Sequence, residues 1–317
     1  MTKSTSTITI LGAGAIGQLL YRQCSSQINA AIDVQLLVKQ HSTSTQTALV
    51  FDDIEGHRHQ YNGHVISLSD NDLSARLAST QLLIVCVKAY QVNNALNNVI
   101  NALPGDCHVL LLHNGMGPHL TVANILAPFT GMGLSIGTTS QAALKHSQWH
   151  IEQTGNGLTT IGHIQGTPIA PQLMQLLNDA IPALALSDNI LNALWKKLVI
   201  NCAINPLTAI EQCRNGQLSE KQYQTRINAI IEECVTVAKA DDVVINLTEM
   251  QSIVAKVIAS TANNYSSMRQ DIHFQRPTEI QQINGYVVSR AAKHQLNVPV
   301  NQKMVNKIIM IETLQHS

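Results

Sequence analysis

Residues 7–24 read TITILGAGAIGQLLYRQC, and the order of residue types in this stretch decides the fold. Thr7 to Leu11 is a short β-branched, apolar run, the composition of a buried strand. It leads directly into Gly12-Ala13-Gly14-Ala15-Ile16-Gly17 and then into a helical pattern beginning IGQLLYRQC. Strand, GxGxxG, helix is the context that gives the glycine motif meaning. The first glycine allows the tight turn, the second lets the backbone approach a pyrophosphate, and the third lets helix and strand pack closely. The helix N-terminus adds N–H donors and a partial positive charge for phosphates. The stretch predicts a dinucleotide-binding α/β domain at the start of the chain, with residues 12–17 as its cofactor loop.

Working outward, Asp33 to Val38 (DVQLLV) reads as the second strand. An acid at its end would accept from the ribose hydroxyl of NAD, whereas a base favours the extra phosphate of NADP. The end here is Lys39-Gln40-His41-Ser42, without an acid. This predicts NADPH/NADP+ as cofactor, with Lys39 on the phosphate. Two further buried strands follow as near-continuous apolar runs, Gln81 to Val87 and His108 to Leu112. Ligands of parallel sheets bind beyond the carboxyl ends of the strands, which is where Lys88, Gln91 and Asn114 fall. Asn114-Gly115 fits a plain turn equally well. Leu134 to Thr139 suggests another strand. Trp149 to Gln153 and Leu158 to Ile161 suggest a pair closed by Thr154-Gly155-Asn156-Gly157. A helix is expected after Pro168 to about Ala180, then a last short strand at Ala183 to Leu186, and a domain boundary near Ser187.

The chain has 317 residues, enough for two domains; 45% are hydrophobic and 13% charged, so two cores can form. Lys+Arg and Asp+Glu are both 20, a balance that argues against a nucleic-acid or membrane-surface binder. Six cysteines without a CxxC pair read as reduced, buried thiols of a cytoplasmic protein. No metal site is expected: His57-Arg58-His59 and His146/His150 lack accompanying ligands at convincing spacing.

From Asp188 onward helical spacing dominates, with candidate helices at 189–205, 219–240, 247–263, 277–294 and 301–315. Lys197, Asn201 and Asn205 stand at steps of four, a near-vertical stripe on an otherwise apolar helix. An amine and two amides so aligned need partners, either neighbouring protein groups or a polar ligand. Pro206 predicts a break or kink just after Asn205. Pro277 suits the first turn of the fourth helix and leaves Glu279 in that turn. Residues 264–271 and 276–280 are rich in short donors and acceptors and read as capping and loop segments between helices.

Together these segments resemble the ketopantoate reductase (2-dehydropantoate 2-reductase) family. The resemblance runs collinearly through GAGAIG (12–17), VKAYQ (87–91), HNGMG (113–117), WKKLVINCAINPLTAI (195–210), NGQL (215–218), NYSSMRQD (264–271) and RPTEIQQING (276–285). It implies an α/β Rossmann-type N-terminal domain, residues 1–187, that binds NADP, and an all-α C-terminal domain, residues 188–317, that carries substrate and catalysis in a cleft between the two. It implies reduction of ketopantoate to pantoate, with Lys197 as general acid and Glu279 near substrate and nicotinamide ribose. Asn114, Asn201, Asn205, Asn264 and Ser267 match substrate-binding positions. Gly12, Ala13, Gly14, Ala15, Ile16, Gly17, Lys39, Lys88, Gln91, Asn114 and Glu279 match cofactor positions, and Asn215 matches a position of less definite role. Expected partners are a small 2-keto acid and, at most, a second copy of the chain, as monomer or homodimer. Two residues depart from the family pattern: His113 replaces a glutamine before Asn-Gly, and Gln281 replaces an aspartate after Thr-Glu-Ile. A related 2-keto acid reductase and an NADPH-binding paralogue without turnover are the competing readings.

Overall fold

The computed structural model describes residues 6–27, 32–40 and 46–315. His41 and Ser42, part of the predicted strand-end motif, lie outside the described residues. The chain divides into two compact units: one runs to His113 and resumes over Pro118–Ile190, the other comprises Asn114–Gly117 and the chain from Leu191 on.

The first unit holds β1 (Ser6–Leu11), α1 (Ala15–Ser25), β2 (Ile32–Val38), β3 (Gln46–Asp52), β4 (Arg58–Ser67), α2 (Leu73–Leu77), β5 (Thr80–Val85), α3 (Val92–Asn97), β6 (His108–Leu112), α4 (Pro118–Leu126), β7 (Gly133–Thr139), β8 (Ala142–Ser147), β9 (His150–Gly155), β10 (Thr159–Gly166), α5 (Pro171–Ala180) and β11 (Leu184–Leu186). Among the described residues these strands form one eleven-stranded sheet in the order β11-β10-β7-β6-β5-β1-β2-β4-β3-β9-β8. Strands β2, β1, β5, β6 and β7 are parallel, and β6 is buried along its whole length. Val, Ile and Leu side chains of β1, β2, β5 and β6 meet α1 (Leu20, Cys24) and α5 (Leu173, Leu176, Leu177) in one core. The chain reverses strand order between β1 and β5, the topological switch point at which such sheets bind ligands. This is the predicted Rossmann-type architecture.

Trp149 to Gln153 and Leu158 to Ile161 do not pair with each other. Strand β9 pairs with β3 and β8, whereas β10 pairs antiparallel with β7 and parallel with β11. The turn residues at 154–157 favour local reversal, but burial decides the partner. The first half of β10 is buried and finds the buried β7, while β9 buries only Ile151 and joins the outer ribbon. Strands β3, β4 and β8, with more polar alternation, carry no sequence signal as strong as the buried runs.

The second unit is helical: α6 (Ile190–Glu211), α7 (Lys221–Ala240), α8 (Leu247–Ser260), α9 (Ser267–His273), α10 (Asn284–Lys293) and α11 (Pro299–Gln315), with 3-10 turns at Asn215–Ser219 and Ile280–Gln282. Trp195, 1% exposed, stacks at a tilt on Tyr286 at 5.8 Å in its core.

Three expectations change here. Pro206 lies inside α6, which continues to Glu211. A proline removes the hydrogen bond to the carbonyl four residues back, which is that of Cys202. The side-chain amide of Asn284 donates to the Cys202 carbonyl instead, at 3.2 Å, so the helix proceeds. Pro277 does not open a helix. Residues 276–278 form neither helix nor strand, Glu279 sits at a bend with φ −95° and ψ 23°, a 3-10 turn follows, and α10 starts at Asn284. Of residues 264–271, read as capping and loop, 267–271 fall in α9, which is capped by Ser266, whose hydroxyl accepts from the Arg269 N–H at 3.1 Å.

No described helix is long and apolar enough to cross a membrane. None of the six cysteines is disulfide-bonded, and five of them are buried.

Candidate active site

In the first unit the glycine loop joins β1 to α1. Gly12 has φ +112°, and a Cβ there would press on Val87 Cγ1 at 2.8 Å. A Cβ on Gly17 would run into the Gly12 carbonyl, so both positions require glycine. Gly14 differs: its missing Cβ would meet nothing within 4 Å, and it caps α1 without a side-chain hydrogen bond. The first turn of α1 carries no acid. An uncapped helix N-terminus beneath open space fits the pyrophosphate of a dinucleotide. Lys39 is exposed directly after β2, and Gln40 beside it is exposed too, so the end of this strand offers a cation to a phosphate. Lys88 is half-buried, and its backbone N–H donates to the Gln91 side chain at 3.2 Å. Gln91 thus shapes the turn that carries Lys88.

In the second unit the continuous α6 keeps Lys197, Asn201 and Asn205 on one face. Asn205 is buried; Lys197 and Asn201 keep part of their surface accessible. Burial of the Lys197 ammonium pushes its pKa down to about 8, and the nearby Glu279 carboxylate pulls it partly back. Glu279 is itself only 4% exposed. Its segment is fixed from two sides. The Thr278 N–H donates to the Glu312 carboxylate of α11 at 2.7 Å, and the Thr278 hydroxyl accepts from the Ile280 N–H at 3.2 Å. Asn114–Gly117 packs on the turn just after Glu279: the Met116 N–H donates to the Gln282 carbonyl at 2.8 Å. Gly115, at φ +76°, would set a Cβ 2.6 Å from that carbonyl oxygen.

Ser266 and Ser267 divide their work. Ser266 is buried and takes the Thr208 hydroxyl of α6 at 2.7 Å, tying α9 to α6; Ser267 is left exposed. Asn264 is exposed, and its carbonyl accepts from the Asn215 N–H at 3.0 Å. Asn215 is buried, donates to the Thr261 hydroxyl at 2.9 Å, and leaves its side-chain oxygen without a partner.

Sequence reasoning missed the supports. Asn284, fully buried, holds the Cys202 carbonyl and donates to Asn301 at 2.9 Å; Asn301 in turn donates to Glu233 at 2.7 Å. Glu233 also accepts the Val300 and Asn301 N–H groups at 2.8 Å, capping α11. The available signal was Pro206: a proline within an otherwise helical pattern orphans a carbonyl and calls for a distant donor. Outside this unit, Asp53, Glu55 and His57 bring one possible metal-ligand atom each within 4.8 Å of one another, a cluster the sequence reading did not assemble. One Asp53 oxygen there already holds the Glu55 and His57 N–H groups.

Residues 8–166 match the family model described as ketopantoate reductase PanE/ApbA, and residues 189–312 match its C-terminal counterpart. The chain is 36% identical over 304 residues to 2-dehydropantoate 2-reductase of Escherichia coli O157:H7, covering 95% of this chain and 93% of that protein. It is 34% identical over 307 residues to the Salmonella typhimurium enzyme of the same name, with the same coverage. This chain belongs to the ketopantoate reductase family. A ketopantoate reductase of this family from Ralstonia eutropha JMP134 superposes with TM-score 0.84 at 25% identity, covering 98% of this chain and all of that one. A D-mandelate dehydrogenase solved with NADH and anilino(oxo)acetate shares the fold, with TM-score 0.88 at 22% identity over 98% of this chain and 99% of that one.

Proposed function

We propose that the chain is an NADPH-dependent 2-dehydropantoate 2-reductase, reducing ketopantoate to pantoate for pantothenate synthesis. The chain is an oxidoreductase acting on a CH–OH/C=O pair with a nicotinamide dinucleotide, as its family membership implies. The observation that carries the reading is Lys197, a desolvated ammonium with a pKa of about 8, beside Glu279 and in line with two asparagine amides. On this reading residues 1–187 bind the cofactor and residues 188–317 carry substrate and catalysis. The enzyme works in the cytoplasm, as a monomer or homodimer, on a small 2-keto acid.

When bound, the reduced nicotinamide supplies the hydride. Negative charge then builds on the keto oxygen, and the Lys197 ammonium both stabilises that oxygen and donates the proton that makes it a hydroxyl. Glu279 keeps Lys197 protonated and positions substrate and nicotinamide ribose. Asn114, Asn201, Asn205, Asn264 and Ser267 offer neutral hydrogen bonds to the substrate carboxylate and hydroxyl. Lys39 takes the extra phosphate; the residue 12–17 loop, Lys88, Gln91 and Asn114 hold the rest of the cofactor. Consumption of NADPH with ketopantoate, followed by absorbance beside a panel of other 2-keto acids, tests the reading. Lys197→Ala is expected to lower the rate by about 10²–10⁴-fold with NADPH affinity little changed. A variant within about twofold of wild type would remove Lys197 from the chemistry.

A further inference from the structure

Strands β3 and β4 are joined by Asp53-Ile54-Glu55-Gly56-His57, a tight turn built on Asp53. The Asp53 N–H donates to the His57 carbonyl and the Gly56 N–H to the Asp53 carbonyl, both at 3.0 Å. Asp53 Oδ1 accepts the Glu55 N–H at 3.1 Å and the His57 N–H at 2.8 Å. Gly56, at φ +87°, takes the left-handed conformation that closes the turn. These bonds hold the Asp53, Glu55 and His57 side chains together at one end of the ribbon. The second carboxylate oxygen, Asp53 Oδ2, stands 3.4 Å from His57 Nδ1 and 2.9 Å from His59 Nε2.

The spacing suits a metal ion better than it suits a hydrogen bond. The 3.4 Å between His57 Nδ1 and Asp53 Oδ2 exceeds the roughly 2.7–3.2 Å of a good N–H···O bond. Ligand atoms about 2.0–2.2 Å from a tetrahedral ion lie about 3.3–3.6 Å from one another. One ligand atom from each of Asp53, Glu55 and His57 falls within 4.8 Å of the others, and Glu55 and His57 are exposed, so side-chain rotation alone can close the set. Two carboxylates brought this close repel each other, and a divalent cation between them removes the repulsion. Arg58, next in sequence, is committed to Asp52, to which it donates at 2.8 and 2.9 Å. An imidazole among the ligands favours zinc and its neighbours over magnesium or calcium. We propose that the 53–57 turn is a binding site for a divalent transition-metal ion of the zinc type, with Asp53, Glu55 and His57 as its protein ligands. His59 is a positioning residue: it donates to Asp53 Oδ2 and orients the carboxylate, as partners of metal ligands do.

Calorimetric titration of the full chain, first stripped with a chelator, tests the site with Zn²⁺ as probe and Ca²⁺ as comparison. Thermal melting without metal serves as the fold control for each variant. Wild type is expected to bind one equivalent of Zn²⁺ saturably and to show no Ca²⁺ binding at the same concentrations. His57→Ala and Glu55→Gln should each weaken Zn²⁺ binding about tenfold or more, as should His59→Ala. His59→Gln, which still carries a donor, should stay near wild type. His146→Ala, which removes a β8 histidine paired with Glu152, should leave Zn²⁺ binding unchanged. Absence of saturable binding by wild type, or equal binding of Ca²⁺, would overturn the assignment. So would Zn²⁺ affinity within about twofold of wild type in His57→Ala and Glu55→Gln, or its loss in His146→Ala, which would move the ion to the neighbouring pair.

Discussion

A single ammonium sets the pH behaviour expected of this enzyme. Burial lowers the Lys197 pKa to about 8 from the ordinary 10.5, and Glu279 opposes part of that fall. The acid must be protonated to act, so kcat/KM for the keto acid at saturating NADPH is expected to decline as pH rises through about 8. Removing the carboxylate removes the group that favours the cation. Glu279→Gln should therefore move the alkaline limb to lower pH, besides slowing the reaction. A limb that stays in place would separate Glu279 from Lys197 electrostatically. The stability linkage has a definite sign too. The unfolded chain holds more protons at this lysine between about 8 and 10.5, so Lys197 makes the fold more stable as pH rises through that window.

At the scale of elements, α6 works because its defect is repaired from elsewhere. Pro206 withdraws the donor for the Cys202 carbonyl, and Asn284 supplies another. Asn284→Leu would strand that carbonyl and leave the Asn301 side-chain oxygen only the weak Cys234 thiol donor, for a loss of about 2–4 kcal/mol in urea unfolding. In a Pro206→Ala background, the restored N–H can take the Cys202 carbonyl, and Asn284→Leu should cost distinctly less. Strictly additive costs would disprove the repair. Helix α11 plays a similar part for Glu279. Glu312 grips the Thr278 N–H, and Gln315 donates to the Ile272 carbonyl at the end of α9 at 2.8 Å. Glu312→Ala should lower kcat/KM by about 10–100-fold through misplacement of Glu279, whereas Glu312→Gln, which keeps an acceptor, should stay near wild type. Equal losses in both variants would mean that the Glu312 charge, not its grip on the backbone, matters.

At the scale of the whole molecule, the two units are built differently. The parallel sheet presents strand ends and a helix N-terminus, which suit phosphates. The helical unit presents a desolvated amine and amides, which suit a small carboxylic acid. On the proposed reading, cofactor choice rests on one exposed residue at the end of one strand, Lys39. Lys39→Asp should reverse or abolish the preference for NADPH over NADH, read as the ratio of dissociation constants. An unchanged ratio would move phosphate recognition away from Lys39.

The sequence by itself determined the glycine-loop unit, because turn sterics and the apolar run before it are local properties. It determined the 197–201–205 stripe, because helical periodicity needs no partner to be read. Glu279 was visible only through likeness to a family, since no local pattern marks a buried carboxylate as functional. Tertiary structure alone decided that β9 and β10 part company, because strand pairing follows burial against distant neighbours. It also decided that α6 runs through Pro206. The proline was legible, but its remedy, Asn284, lies 82 residues from Cys202, and only folding brings that amide to the orphaned carbonyl.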